Sequence, residues 1–210
     1  MKYPATQLFS KAPRPRAVAL TGLLAATALA GCASIVKVDA TDPQGQSQHH
    51  EISVTRTVTL AYPIEKIFDL VAAEDVLPKV LTGYAFLPAV TGTSGNTGPW
   101  TLPGSQRTVH LADQTTANEE LTVYQRAKRF EYKVNKFTHP ILSTLAASAR
   151  GVWRFEETPV GTKVDWTYTF VATNGLAALP LSSVAQLLWR GYMDVCLRNV
   201  GRILADSKPS

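Results

Sequence analysis

Between Tyr84 and Ala172 apolar and polar residues alternate with a period of two, and this alternation limits the fold more than any other feature of the chain. In FEYKVN, Phe130, Tyr132 and Val134 share one face while Glu131 and Lys133 share the other. Trp153 and Phe155 in WRF, then Val164, Trp166, Tyr168 and Phe170 in TKVDWTYTF, continue the apolar side, leaving Arg154, Asp165, Thr167 and Thr169 opposite. Successive strand side chains point to opposite faces. The pattern therefore predicts an antiparallel sheet with one covered and one wet side. The stretches TPVG (158–161) and QTTA around Gln114 read as hairpin connections.

Helices flank this block. ISVTRTVTL (52–60) is β-branched and reads as a strand. In YPIEKIFDLVA, Pro63 suits a first helical turn, and Ile64, Ile67, Phe68 and Val71 follow at i, i+3, i+4 and i+7. A second short helix is expected near 75–81. The last element, about 181–205, carries an apolar stripe at Val184, Leu188, Tyr192 and Val195, continued by Val200 and Leu204. At 1.5 Å per residue it reaches about 40 Å, long enough to cover the sheet. Gly191 and Gly201 each cost that helix about 1 kcal/mol relative to Ala, which packing has to offset.

The chain begins differently. Lys2, Lys11, Arg14 and Arg16 precede an apolar run from Ala17 to Ala30, the layout of a secretory signal peptide. That run falls short of the roughly 20 residues a membrane-spanning helix needs. Leu29-Ala30-Gly31-Cys32 resembles the bacterial lipoprotein box, in which the cysteine takes diacylglycerol and the chain is cut just before it. The resemblance implies a signal peptide over 1–31 and a lipid anchor on Cys32. With Ala33 next, it implies an outer-membrane site facing the periplasm. Stable anchoring takes more than one acyl chain, which a lipoprotein cysteine supplies. Residues 32–50, ending in the polar DATDPQGQSQHHE run, read as a flexible tether.

Removing residues 1–31 takes away those four bases and no acid, so the formal charge falls from +5 to +1. No basic stripe is left for nucleic acid, and nucleic acid is not an expected partner. With Cys32 lipidated, Cys196 has no intrachain partner and is expected to be a small buried hydrophobe. His49 and His50 lack further ligands at metal-site spacing, and neither a metal nor a cofactor is expected.

The order strand, two short helices, six antiparallel strands and a long closing helix is the helix-grip order. From about 51 to 206 the chain resembles the START-like (SRPBCC) superfamily of polyketide cyclase/dehydrase and lipid-transport type, whose relatives include the birch pollen allergen and plant abscisic acid receptors. The matching pieces are YPIEKIFDLVA, GSQRTVHL (104–111), EELTVY (119–124), FEYKV, the GVWRF…GTKVDWTYTF hairpin and YMDVCLRNV. Tyr62 stands where relatives carry a small or capping residue, and Gln114-Thr115 where they often have Gly. The resemblance implies an α+β helix-grip fold, a curved sheet wrapped on the terminal helix with a cavity between them.

The expected lining is Tyr132, Trp153, Phe155, Trp166, Tyr168 and Phe170 from the strands and Tyr192 from the helix, a wall suited to an apolar ligand with a small polar part. The same rings also suit a closed core. Arg107 shares parity with Val109 and Leu111, and a buried cation needs a partner. It is placed to grip a ligand carboxylate or phosphate, to reach water, or to pair with a protein acid. Glu119 is the natural acid; with the turn centred near Thr115 it is expected opposite Leu111, about 13 Å from Arg107. His110 is expected to face out and His139 to lie in a loop, and neither Ser182-Ser183 nor Cys196 has a base at recognisable spacing. No catalytic residue is legible. Three functions remain open: a non-catalytic binder of a lipid or similar small molecule, a cyclase/dehydrase-like enzyme acting on an aromatic or polyketide-like substrate, and an envelope interaction module with a closed core and an exposed apolar patch.

Overall fold

The computed structural model describes residues 50–207. The signal peptide, Cys32 and most of the tether lie outside the described residues.

A single seven-stranded antiparallel sheet runs in the order β1-β7-β6-β5-β4-β3-β2. Its strands are β1 (Glu51–Leu60), β2 (Val90–Ser94), β3 (Gln106–Leu111), β4 (Thr116–Gln125), β5 (Arg129–Asn135), β6 (Ala146–Thr158) and β7 (Gly161–Ala172). Helices α1 (Ile64–Val71) and α2 (Leu77–Val80) carry the chain from one edge strand to the other, and α3 (Pro140–Leu145) precedes β6. The chain closes with α4 (Gly175–Ser183), a π-helical stretch (Val184–Trp189) and α5 (Arg190–Asp206). The fold is α+β, a curved sheet gripping a long C-terminal helix.

Local causes are visible in most elements. The apolar stripe of α1 is buried, with Phe68 and Ile67 fully inaccessible. No side chain caps this helix at Pro63, and Tyr62 is used otherwise: its carbonyl accepts a hydrogen bond from Thr162 at 2.8 Å. Asn174 caps α4, its Oδ1 accepting from the Ala177 amide at 3.0 Å. On the outer face of β1 and β7, Ser53 and Thr55 meet Thr169 and Thr167 in hydroxyl pairs of 2.8 Å. Arg56, on the inward parity of β1, donates to Asp194 of α5 at 2.6 Å and ties the helix to the sheet edge.

Four expectations need correction. The final helix starts at Gly175 rather than near 181, and its buried stripe is Leu181, Ala185, Tyr192, Met193, Cys196, Leu197, Val200 and Leu204, so that of the expected stripe Tyr192, Val200 and Leu204 are buried and Val184, Leu188 and Val195 only half-buried. The π-helical stretch is the reason, since a wider turn shifts every later residue around the axis. Residues 140–145 form α3 where a loop was expected, with Pro140 at its first turn. On the side expected to be wet, Glu131 and Thr169 are buried, Glu131 under its ion pair with Arg129 and Thr169 under Ser53.

The fourth concerns register. Arg107 pairs directly with Glu119 across β3 and β4, and Thr116 pairs with His110. The turn is centred on Asp113, two residues before Thr115. Gln114 takes a left-handed φ of 68°, and the Asp113 carboxylate accepts from the Thr115 amide at 3.0 Å and its hydroxyl at 2.7 Å. An Asx-type side chain stabilises this turn without the glycine often found there.

A candidate ligand cavity under the π-helical turn

The inward residues divide between two environments. Phe68 meets Tyr124 edge-on at 5.2 Å, Phe155 at 5.2 Å and Phe130 at 6.4 Å, so α1 plugs that end of the interior with a packed aromatic cluster. Toward the other end, Tyr132, Trp166 and Tyr168 from the sheet face Trp189 and Tyr192 from the closing helix around a cavity of about 100 Å³. Leu77, Leu81, Leu87 and Val109 add apolar wall, and half-buried Thr115, Phe137, His139 and Leu142 form its outer rim. A pocket of about 30 Å³ adjoins it, with Glu119, Tyr132 and Trp166 shared and Arg107, Trp153 and Cys196 added.

Two glycines make room for this arrangement. A Cβ on Gly151 would lie 2.2 Å from Cζ of Tyr132, so the Tyr132 ring lies directly over the β6 backbone. Gly191 likewise gives way to the ring of Tyr84, bringing residues 84–88 against the helix. There the Tyr192 hydroxyl donates to the Pro88 carbonyl at 3.1 Å.

Arg107 does not face the cavity as a free cation. Its Nε donates to Oε2 of Glu119 at 2.8 Å, its Nη2 lies 2.7 Å from the same oxygen in the ion pair, and Nη1 donates to the Glu74 carbonyl at 2.9 Å. Its guanidinium lies 3.7 Å from the ring centroid of Trp100. The pairing with a protein acid is therefore the alternative realised, because the true register puts the two side chains face to face. Burial raises the carboxyl of Glu119 above its ordinary range and the charge of Arg107 pulls it back down. Burial also pushes the phenols of Tyr132, Tyr168 and Tyr192 and the thiol of Cys196 upward, so each stays protonated at neutral pH.

Of the expected lining residues, Tyr132, Trp166, Tyr168, Tyr192 and Glu119 line the main cavity, while Trp153 and Arg107 reach only the adjoining pocket. Phe155 and Phe170 lie in neither. Phe155 packs on Phe68 at the plugged end, and fully buried Phe170 sits edge-on to Trp189 at 5.2 Å. Parity placed both inward, but inward there means core.

The sequence reading passed over Trp189, His139, Phe137 and Leu142. Trp189 and Tyr192 stand three residues apart, a spacing that would have revealed a shared face, but the stripe was drawn through Val184 and Leu188. His139 lies, as expected, in the bend just before α3, and nothing in its spacing marks it as a lining residue.

The polar atoms of the cavity are telling. Among the described residues four buried side-chain nitrogens lack a protein hydrogen-bond partner: Trp166 Nε1, Trp189 Nε1, His139 Nδ1 and Trp100 Nε1. The first three belong to residues lining this cavity. Two of these, the indole N–H groups of Trp166 and Trp189, can only donate, and an unsatisfied buried donor costs about 1–3 kcal/mol, so an acceptor atom brought to either would be stabilising. Among the described residues no three His, Cys, Asp or Glu side chains gather as metal ligands.

With this geometry in hand, the relationships of the chain are clear. The family described as polyketide cyclase / dehydrase and lipid transport matches residues 51–205, and the chain belongs to it. No curated protein matches. Among solved structures, the ginseng major latex-like protein 151 from Panax ginseng superposes with a TM-score of 0.57 at 13% identity, over 73% of this chain and 97% of that one. The protein XoxI from Bacillus cereus gives 0.56 at 16% identity, covering 75% and 99%. An uncharacterised protein from Rhizobium leguminosarum gives 0.55 at 17%, covering 75% and 96%. At these identities the likeness is one of fold.

Proposed function

We propose that this chain is a bacterial envelope lipoprotein, anchored through Cys32 and facing the periplasm from the outer membrane, whose helix-grip domain binds a small apolar molecule carrying a neutral hydrogen-bond acceptor. The observation that carries the binding is an apolar, aromatic-lined cavity two of whose wall residues, Trp166 and Trp189, hold indole N–H groups without a protein acceptor. Hydrocarbon alone leaves Trp166 and Trp189 unsatisfied, whereas a carbonyl or ester oxygen accepts from an indole N–H. No Lys or Arg lines the main cavity, and Arg107 is already neutralised, which disfavours a ligand carboxylate deep inside. Size narrows the class further. An apolar cavity of about 150 Å³ admits a benzene, so one of about 100 Å³ suits the end of an acyl chain or one ring. A fused polycycle would have to push the Leu142 and Phe137 rim aside.

The enzyme reading keeps one point in its favour: Glu119 and Tyr132 line the same cavity. Against it, the Glu119 carboxylate is engaged by Arg107 and burial keeps the Tyr132 phenol protonated, so Tyr132 offers no base and Glu119 would have to leave its cation to act as one.

Native mass spectrometry of the protein purified from its own host tests the binding, with thermal denaturation against acylglycerols, fatty acids and aromatic ketones. A co-purifying neutral lipid, and a rise in melting temperature with esters but not with free fatty acids, is expected; saturation at 100 times Kd adds about 2.7 kcal/mol. No bound mass and no shift with any compound would sink the proposal. The anchor is tested separately: Cys32→Ser should abolish incorporation of labelled palmitate and release the protein from the membrane fraction.

A further inference from the structure

We infer that the mouth of the cavity is also a membrane-contact face, and that the occupant of this face is the anionic phospholipid surface to which the anchor ties the domain. Phe86, Leu176, Leu179 and Leu187 are 87, 92, 80 and 72% exposed, and Ile141 on α3 is 52% exposed. These residues lie on α3, α4, the π-helical stretch and the 84–88 segment, elements that form the cavity wall or pack against it. Ile141 precedes the rim residue Leu142, and α3 packs against α4, which carries Leu176 and Leu179. Phe86 precedes Leu87 and Pro88, both in the cavity wall, on the segment that Tyr84 and Tyr192 fasten to the helix just after Leu187.

Charge sets this face apart as well. Segments 77–95, 136–149 and 166–193 hold none of the chain's 16 acidic residues but three bases, Lys79, Lys136 and Arg190; Lys79 pairs with Asp75, and Asp113 stands 3.9 Å from the rim residue His139. An exposed apolar patch flanked by Lys136 and Arg190 suits headgroups and the outer acyl region of an anionic bilayer. The tether enters here too: the His50 carbonyl accepts from the Ala172 amide at 2.9 Å, and its imidazole lies against Gly175 at the start of α4. The residues between Cys32 and His50 thus join the domain beside these leucines. A ligand leaving the cavity through its mouth would pass from protein to lipid without crossing water. The orientation rests on the anchor proposed above; the composition of the face does not.

The test uses the mature chain from residue 32 with Cys32→Ser, held by an N-terminal hexahistidine tag on vesicles of phosphatidylethanolamine, phosphatidylglycerol and a nickel-chelating lipid. An environment-sensitive fluorophore is placed at Leu179→Cys or, as a control, at Val160→Cys, an exposed apolar site on the β6–β7 hairpin. Buried Cys196 stays unlabelled. Quenching by brominated acyl chains should be at least about twofold greater at 179 than at 160. Equal quenching at the two sites, or none at 179, overturns the inference, the latter result leaving the patch to a protein partner. The variant Leu176→Ser/Leu179→Ser/Leu187→Ser, labelled at Phe86→Cys, should lose the quenching. Native mass spectrometry of that variant should still find ligand in the cavity. Loss of ligand with quenching intact would condemn the cavity reading alone.

Discussion

The two ends of the interior are built from the same alternating strands and end up differently. At the first, Phe68 drops from α1 onto Phe130 and Phe155, and the rings close on one another. At the second, Tyr132, Trp166 and Tyr168 look across a gap to Trp189 and Tyr192. The strands are alike in parity and in bulk, and the covering helices are not. An eight-residue helix that buries four of its five apolar residues fills its half. A π-helical turn, a six-residue helix and residues 84–88 cover the other half less completely. An inward aromatic is therefore core or lining according to what lies above it.

The comparison is sharpest if the plugged end is cut first. Phe68→Ala should cost about 3–5 kcal/mol in denaturant unfolding, because the aromatic cluster cannot collapse around the loss. Leu142→Ala on the half-buried rim should cost less than about 1 kcal/mol; similar costs for the two would erase the distinction between the ends. At the boundary, Glu119→Leu leaves Arg107 buried without its anion and should also lose about 3 kcal/mol, most of it recovered when Arg107→Met is added. A double variant no more stable than the single one would show that Arg107 does not need Glu119.

Within the open end, Gly151→Ala forces the Tyr132 ring off the β6 backbone. A stability loss of about 1–3 kcal/mol and altered ligand retention are expected, as for other overpacked sites. Trp189→Phe removes one unpartnered N–H while keeping most of the ring. It should leave the unfolding midpoint nearly unchanged and weaken an ester-bearing ligand by about tenfold, roughly the value of one hydrogen bond to a buried donor. The smallest effect is chemical. Burial lifts the Cys196 thiol well above its ordinary 9.0, so at pH 9 the folded protein should resist iodoacetamide and react only once unfolded in urea.

Much of this was legible in the chain, and the failures share a cause. The faces of β5, β6 and β7, the stripe of α1 and the burial of Arg107 follow from periodicity, which is local. The separation of Arg107 from Glu119 was misjudged because register depends on turn geometry, and Gln114 enters the left-handed region with only Asp113 to signal it. Trp189 was missed because a π-helical turn interrupts the helical period that sequence reading relies on. Phe155 and Phe170 were assigned to the cavity because parity distinguishes inside from outside but not filled from empty.

By itself the sequence determined the order of elements and the side on which each strand keeps its rings, since alternation at two and at 3.6 residues is written into neighbouring positions. Tertiary structure alone decided which rings meet a helix and which meet space, and that the Arg107 charge is spent on Glu119. Both outcomes turn on contacts between segments far apart in the chain, where a shift of a few residues or one wider helical turn changes what faces what.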